Sequence, residues 1–391
     1  MKFFAHLNTA VQVLDQYKGQ QPFGLFIKEF FRKDKKFGSR DRRSISHLCY
    51  CYFRAGKGLE QLPVPERIVA GLFLCSQAPN EVLAQLKPAW NEQAALPFAD
   101  KWTMVAGEES LAAVFPWADE LSTGMDALAF CTSFFVQPHL FLRCRPGKRA
   151  VVQQKLTAAN ITYAMASEDA IALPNASKVD EVIVLNQDAV VQDLSSQRVG
   201  KFLQLVKERI TNTAALPVWD CCAASGGKSI LAFDVFGKID LTVSDIRDSI
   251  IANLKKRFAE AGITRYRSFV ADLSNPQANL ALAIPPVLIL ADVPCSGSGT
   301  WSRTPEQLFY FDQAAILRYQ TLQKKIVARV GTQLPAGGLL LYITCSVFRD
   351  ENEAVVQYMQ EHEGLEALHI ELLKGYSNQA DTMFAALMRK S

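Results

Sequence analysis

Long apolar runs are missing from this chain. The longest, Val287–Ala291 and Leu339–Ile343, fall far short of the ~20 residues a membrane-crossing helix needs, so no membrane association is expected. A large charge of one sign is missing too. The 42 Lys and Arg against 39 Asp and Glu leave only +3, which excludes nucleic-acid binding through bulk charge and leaves any such binding to local patches. Histidine is scarce: the five residues at 6, 47, 139, 362 and 369 are scattered, and no C-x-x-C pair accompanies them. A zinc site is therefore not expected, nor any other metal. The nine cysteines form no regular ladder, and the start MKFFAHLNTAVQVLDQ is interrupted by His6, Asn8, Gln12 and Asp15. No secretory leader is expected, and the reading is a reduced, cytoplasmic protein with free thiols. Internal repeats and low-complexity segments are absent as well. What remains is an ordinary globular composition, 49% hydrophobic and 21% charged over 391 residues, long enough for two or three domains.

Three segments follow from the apolar patterning. Residues 1–126 read as a helical domain. Phe23, Phe26, Ile27, Phe30 and Phe31 recur at helical spacing, as do Ile45, Leu48, Cys49 and Tyr52. Between these runs, Lys28–Arg43 holds eight Lys and Arg against three acids. Gly38 is expected to end one helix and Ser39 to cap the next. The basic segment reads equally as a solvated turn or as a phosphate-contacting patch that includes Arg40, Arg42 and Arg43. Residues 130–204 read as a small α+β module. Pro138–Pro146 alternates with Leu140, Leu142 and Cys144 on one face, Val151–Ile161 is an amphipathic helix, and Tyr163–Ala166, Ala170–Leu173 and Glu181–Leu185 are strand candidates. Residues 205–391 alternate strand and helix, which predicts an α/β domain with a parallel, doubly wound sheet and ligand sites at the carboxyl ends of its strands. The strand candidates there are Leu216–Cys221, Asp240–Ile246, Tyr266–Ala271, Val287–Val293 and Leu339–Thr344, followed after the last helix by Leu365–Leu373 and Thr382–Met388.

The chemistry concentrates at the predicted strand ends. Asp220–Ser229, DCCAASGGKS, contains Gly-Lys-Ser, but a phosphate loop needs Gly where Cys222 stands, so a nucleotide-triphosphatase is excluded. What is left is a turn of small residues, Ala223, Ala224, Ser225, Gly226 and Gly227, which lets a ligand approach the backbone closely. Asp245 lies 18 residues after Gly227 at the end of the second strand, a spacing suited to ribose hydroxyls. Asp272 ends the third strand, where it could border an adenine, and Asp292 ends the fourth. An Asp at a strand end often caps the next helix; four at successive ends (220, 245, 272 and 292) point instead to a shared crevice. Cys295 follows Asp292, and Cys345 ends the fifth strand. Two thiols at adjacent strand ends should face that crevice, whereas Cys75, Cys131 and Cys221 read as core residues.

These motifs resemble the RsmB/Nop/Sun family of S-adenosylmethionine-dependent RNA cytosine-5 methyltransferases. The resemblance is carried by Cys222–Lys228, Ser244–Ile246, Asp272, Asp292–Gly299 and the pattern TCS-x4-ENE from Thr344 to Glu353. It extends to Pro138–Pro146 and Val190–Gln197, which resemble the small RNA-recognition-like module of that family. Gly38–Arg54 resembles part of the NusB-like helical domain of its RsmB branch. The chain departs from the family at Ser225, usually Pro, and at Val293, usually Ala, and 57–126 has no recognisable match.

The resemblance implies a class I methyltransferase (Rossmann-like) domain behind those two modules. S-Adenosylmethionine would be held by Cys222, Ala223, Ala224, Ser225, Gly226, Gly227, Lys228, Asp245, Asp272 and Asp292. Cys345 is implied as the nucleophile that adds to carbon 6 of cytosine, and Cys295 as the thiol that assists release. Asp292 would bind the base edge; to donate a proton there it would have to be a neutral acid. Lys228 would orient Asp292 or the nucleotide, and Arg303 would contact phosphate. The implied substrate is RNA, 16S ribosomal RNA first and transfer RNA second, and the implied assembly is a monomer. A catalytically idle RNA-binding or ribosome-assembly factor is the competing reading, and the presence of both thiols speaks against it.

Overall fold

The computed structural model describes residues 2–34, 36–210 and 215–391. Its chain divides into two compact units. One comprises 1–121, 125–137 and 300–313; the other comprises 122–124, 138–299 and 314–391.

The first unit is helical. Helix Lys2–Gln16 buries Leu7, Ala10, Val13 and Leu14 on one stripe, and Phe23–Lys33 buries Phe23, Ile27 and Phe31 at every fourth position. Ser39–Arg54 buries Ile45, Leu48, Cys49 and Phe53. Gly38 does not end a helix, contrary to the expectation: Phe23–Lys33 stops at Asp34, and Gly38 is the residue before Ser39–Arg54. The Asp41 carboxylate accepts the Gly38 N–H at 3.3 Å, so the cap is supplied from within the helix and not by Ser39. The region without motifs forms helices Val64–Cys75, Glu81–Leu86 and Phe98–Ala106. The buried Lys101 ammonium donates to the carbonyl of Ser76 at 2.6 Å, just past the end of Val64–Cys75. The unit runs on past 126 through helix Ala127–Ser133, where Phe130 and Phe134 are buried. It also takes in 300–313. In that stretch Glu306 accepts the Phe23 N–H at 3.2 Å, and the Tyr310 hydroxyl donates to the Tyr17 carbonyl at 2.8 Å. No helix among the described residues is long and apolar enough to cross a membrane.

The second unit holds two sheets. The small one is formed by β1 (Leu140–Cys144), β2 (Ala164–Met165), β3 (Ala170–Leu173) and β4 (Ala189–Val191), in the order β2-β3-β1-β4 and antiparallel throughout. Leu142 and Cys144 pack with Val152 and Leu156 of helix Arg149–Ala158. The expected strand Glu181–Leu185 is not one. The N–H groups of Val182 and Ile183 bond back to Val179, and Asp188 bonds to Val184, so this stretch closes on itself as turns. The place beside β1 belongs to β4, whose Val190 is fully buried while Val184 is half exposed.

The large sheet comprises β5 (Leu216–Asp220), β6 (Ile239–Asp245), β7 (Tyr266–Val270), β8 (Leu288–Asp292), β9 (Leu339–Thr344), β10 (Leu365–Leu373) and β11 (Met383–Lys390), in the order β10-β11-β9-β8-β5-β6-β7. β5 to β9 are parallel as expected. β10 and β11 are not: they form a hairpin, and β11 inserts antiparallel beside β9. The chain reverses through residues 374–382, and the β11 side chains from Met383 to Met388 are buried.

Alternate residues serve opposite faces. Val218, Leu241, Val243, Leu290 and Leu341 meet helices Gly200–Arg209, Gly227–Phe236 and Asp248–Glu260. Trp219, Ile289, Ala291, Leu340 and Tyr342 meet helices Ala314–Gly331 and Glu353–His362. The strand order reverses between β5 and β8. The crevice therefore opens at the carboxyl ends of these two strands, where Asp220 and Asp292 stand. This is the arrangement of a class I methyltransferase domain, preceded in the chain by an α+β module and a helical domain.

Candidate active site

The turn after β5 is built by its small residues. Gly226 has φ of +79°, and a Cβ there would lie 2.5 Å from Cε1 of Phe258, so only glycine fits. Ala224 also lies in the left-handed region, at φ +44°. The Ala223 N–H donates to the Ser244 carbonyl at 2.9 Å, and the Ala224 N–H donates to Oδ2 of Asp245 at 3.1 Å. The same carboxylate accepts the Arg247 N–H through Oδ1 at 3.1 Å. Asp245 thus joins the small-residue turn to the end of β6.

Asp272 closes its own turn at the end of β7, accepting the N–H and the hydroxyl of Ser274 at 2.9 and 2.7 Å, and it is exposed. Asp220 is different. It is fully buried, takes the Ser229 hydroxyl at 2.6 Å, and has no partner among the described residues at Oδ1. Burial pushes its carboxyl up to about 7. Its contacts tie β5 to the following helix.

Ser225, at the position where the family usually has Pro, is held from outside the turn. Arg257 donates to its carbonyl at 3.1 Å and its hydroxyl at 2.8 Å, while its Nε donates to Asn186 of the small module at 2.8 Å. Arg143 and Arg145, on and beside β1, both reach Asp234, at 2.6 and 2.8 Å. The small module is thereby fastened to the helices that carry the turn.

The ends of β8 and β9 hold the remaining groups. Lys228, nearly buried, pairs with Asp292 at 2.9 Å. The Sγ atoms of Cys295 and Cys345 lie 3.2 Å apart, within hydrogen-bonding distance, and both residues are partly exposed. The hydrogen bond to Cys345, burial, and the charges of Cys345 and Glu351 push the Cys295 thiol well above its ordinary value. The loop after Cys295 is pinned by backbone. Gly299 N–H donates to the Cys345 carbonyl at 2.8 Å, and a Cβ on Gly299 would lie 1.9 Å from the Thr382 carbonyl.

The structure thus brings Ala224 to Asp245, Lys228 to Asp292, and Cys295 to Cys345. Cys222 is partly exposed, with Gly227 and Lys228 in the first helical turn beyond it. Cys131 and Cys221 are buried, and Cys75 is partly so.

Arg303 lies in the 300–313 stretch of the helical unit, as a partly exposed residue whose N–H donates to Thr300. Arg40, Arg42 and Arg43 are exposed in the first turns of Ser39–Arg54. Arg42 also supports the fold, since its Nε donates to the Phe37 carbonyl at 2.8 Å and it stacks over Phe31.

Residues 210–388 match the family described as 16S rRNA methyltransferase RsmB/F. That domain belongs to the RsmB/F methyltransferase family. A probable ribosomal RNA small subunit methyltransferase B of Synechocystis is 28% identical over 313 residues, covering 76% of this chain and 64% of that protein. One of Bacillus subtilis is 26% identical, covering 64% of this chain and 55% of that protein. The chain thus spans between about half and two thirds of the length of these curated relatives. The solved structure of PH0851 covers 100% of this chain and 98% of its own, with a TM-score of 0.68 at 15% identity, a likeness of fold.

The cofactor of an RsmB/F methyltransferase domain is S-adenosylmethionine. The donor set fits it: a turn bare of bulky side chains, with carboxylates at the ends of the neighbouring strands β6 and β7. Sequence reasoning assigned no role to Glu351, Gln323 or Arg257. The ENE motif held the signal for the first of these.

Proposed function

We propose that this chain transfers a methyl group from S-adenosylmethionine to carbon 5 of a cytosine in RNA, with small-subunit ribosomal RNA as the substrate. The observation that carries the reading is the pair of thiols 3.2 Å apart at the ends of β8 and β9, beside the Lys228–Asp292 pair. Cytosine carbon 5 is too weak a nucleophile to take a methyl group unaided. A thiolate adding to carbon 6 converts the ring to an enamine, and carbon 5 then attacks. S-Adenosylmethionine supplies an electrophilic methyl group.

The attacking sulfur is Cys345. The two thiols lie within hydrogen-bonding distance of each other, and that contact together with burial raises the Cys295 thiol. After methyl transfer, water acting as base takes the carbon 5 proton, the freed electron pair re-forms the double bond between carbons 5 and 6, and the bond from carbon 6 to sulfur breaks, which returns the Cys345 thiolate; Cys295 assists this release. Asp292, paired to Lys228, accepts a hydrogen bond from the cytosine amino group. The target base must leave its stack to reach the sulfur.

Cys222–Lys228, Asp245 and Asp272 hold the cofactor. The helical and small α+β segments, 1–126 and 130–204, serve RNA, with Arg40, Arg43 and Arg303 as phosphate contacts.

Two experiments test this reading. Bisulfite sequencing of total RNA from cells with and without the gene identifies the modified cytosine; a lost site in transfer RNA instead would replace the substrate, and no lost site would end the proposal. With labelled RNA and cofactor on a denaturing gel, Cys295→Ala is expected to accumulate a protein–RNA band and Cys345→Ala to form none. The opposite pattern would swap the two roles.

A further inference from the structure

One buried carboxylate touches both cysteine loops. Glu351 has no exposed surface. Its Oε2 accepts the backbone N–H of Ser296, the residue after Cys295, at 2.8 Å, and the Gln323 amide at 3.1 Å. Its Oε1 accepts the hydroxyl of Ser346, the residue after Cys345, at 2.9 Å. Gln323 also donates to the carbonyl of Pro294, on the other side of Cys295, at 3.0 Å. The Ser296 hydroxyl in turn donates to that of Ser346 at 3.2 Å.

Asn352 and Glu353 hold the same corner from behind. Asn352 accepts the Thr344 hydroxyl at 2.6 Å and donates to the Ser346 carbonyl at 2.9 Å, and Glu353 accepts the Ser122 hydroxyl at 2.9 Å. A buried carboxylate is costly unless its hydrogen bonds are satisfied. Here three donors satisfy it, and two of them come from the residues that follow the thiols.

We propose that Glu351 is a positioning residue that sets the sulfur-to-sulfur distance and holds its carboxylate against the loop that carries the Cys295 thiol. It touches no reacting atom; it acts through Ser296 and Ser346. The inference rests on the methyltransferase reading for its consequence in turnover, but not for its consequence in thiol chemistry. Four groups share an electrostatic environment with Cys295: Cys345 at the end of β9, Glu351 after it, Tyr342 on β9, and Tyr319 of helix Ala314–Gly331. Glu351 and the partner thiol both disfavour a second negative charge there, in line with the raised value at Cys295.

The test compares wild type, Glu351→Gln and Glu351→Asp in the full chain. The pH profile of iodoacetamide alkylation is followed at Cys295 and Cys345 by peptide mass spectrometry, alongside cofactor affinity by calorimetry and turnover on RNA. Glu351→Gln is expected to shift Cys295 alkylation to lower pH, to leave cofactor affinity unchanged, and to slow turnover by about a hundredfold, as misplaced reacting groups do. Glu351→Asp keeps the charge, so the alkylation profile is expected to stay near wild type while turnover falls. A Cys295 profile that is unchanged in Glu351→Gln overturns the proposal, and so does a profile that moves equally in both variants. If wild type itself methylates no RNA, the function proposed above fails, and the alkylation profiles still decide the role of Glu351. If Glu351→Gln does not fold, Gln323→Leu, which removes one of the three donors, is expected to move the Cys295 profile alone; no movement there overturns the proposal.

Discussion

Replacing Asp220 by Asn should change how the stability of this protein depends on pH. Asp220 is fully buried at the end of β5, and burial raises its carboxyl from 3.8 to about 7. Its Ser229 hydrogen bond and the nearby Lys228 oppose that rise without cancelling it, and Asp292 and Asp245 add to it. The sign follows from proton counting. Between these two values the folded protein binds a proton that the unfolded chain has released, so stability falls as pH rises. About three pH units at 1.36 kcal/mol each give roughly 4 kcal/mol, lost between about pH 4 and 8.

Asn carries no charge at any of these pH values, and its oxygen can keep the Ser229 hydroxyl. Its amide will sit where Oδ1 has no partner among the described residues, at a cost of about 1–3 kcal/mol that does not vary with pH. The discriminating quantity is therefore the slope. Urea unfolding of wild type and Asp220→Asn at half-unit steps from pH 4.5 to 8.5 should give a difference in stability that moves toward the variant as pH rises and levels off above about pH 7.5. Two parallel curves would refute the reasoning, because they would mean that Asp220 ionises in the folded protein as it does in water.

Three further outcomes are expected. Gly226→Ala places a Cβ 2.5 Å from Phe258 at a left-handed φ, so it should cost about 2–4 kcal/mol in thermal unfolding; an unchanged midpoint would contradict the turn described here. Asp245→Ala should weaken S-adenosylmethionine binding by about 1–3 kcal/mol in calorimetry, since it removes the carboxylate that holds the Ala224 N–H and that we propose meets the cofactor; unchanged affinity would remove Asp245 from the site. Charge reversal at Arg40 and Arg43, leaving Arg42 to hold Phe37, should reduce the salt slope of RNA binding by up to about two units; an unchanged slope would leave those arginines facing solvent only.

Much of the catalytic domain was legible in the order of residues. Apolar runs of strand length alternating with amphipathic helices announce a parallel sheet, because each buried strand must be covered on both faces by the helices that connect it. Small residues, Asp and Cys at strand ends mark the ligand side for a local reason: backbone that approaches a ligand tolerates no bulk, and the strand end is where side chains leave the core. Asp245, Asp292, Cys295 and Cys345 could thus be singled out one by one from their immediate neighbours.

What depended on the folded chain is contact between residues far apart in sequence. The pattern of Leu365–Leu373 and Thr382–Met388 reads as two strands, but only tertiary pairing determines that the second runs antiparallel beside β9. Glu181–Leu185 is apolar enough to read as a strand, yet β3 and β4 take the two edges of β1, and the stretch bonds to itself instead. Residues 300–313 follow the Cys295 loop directly but pack into the helical unit, since Glu306 and Tyr310 find their partners in residues 17–23. The 3.2 Å between the sulfurs, the reach of Glu351 to both loops, and the grip of Arg257 on Ser225 have the same origin. Local propensity and periodicity act over a few residues along the chain. Hydrogen bonds and burial act over a few ångströms in space, and only the closed core makes those two distances meet.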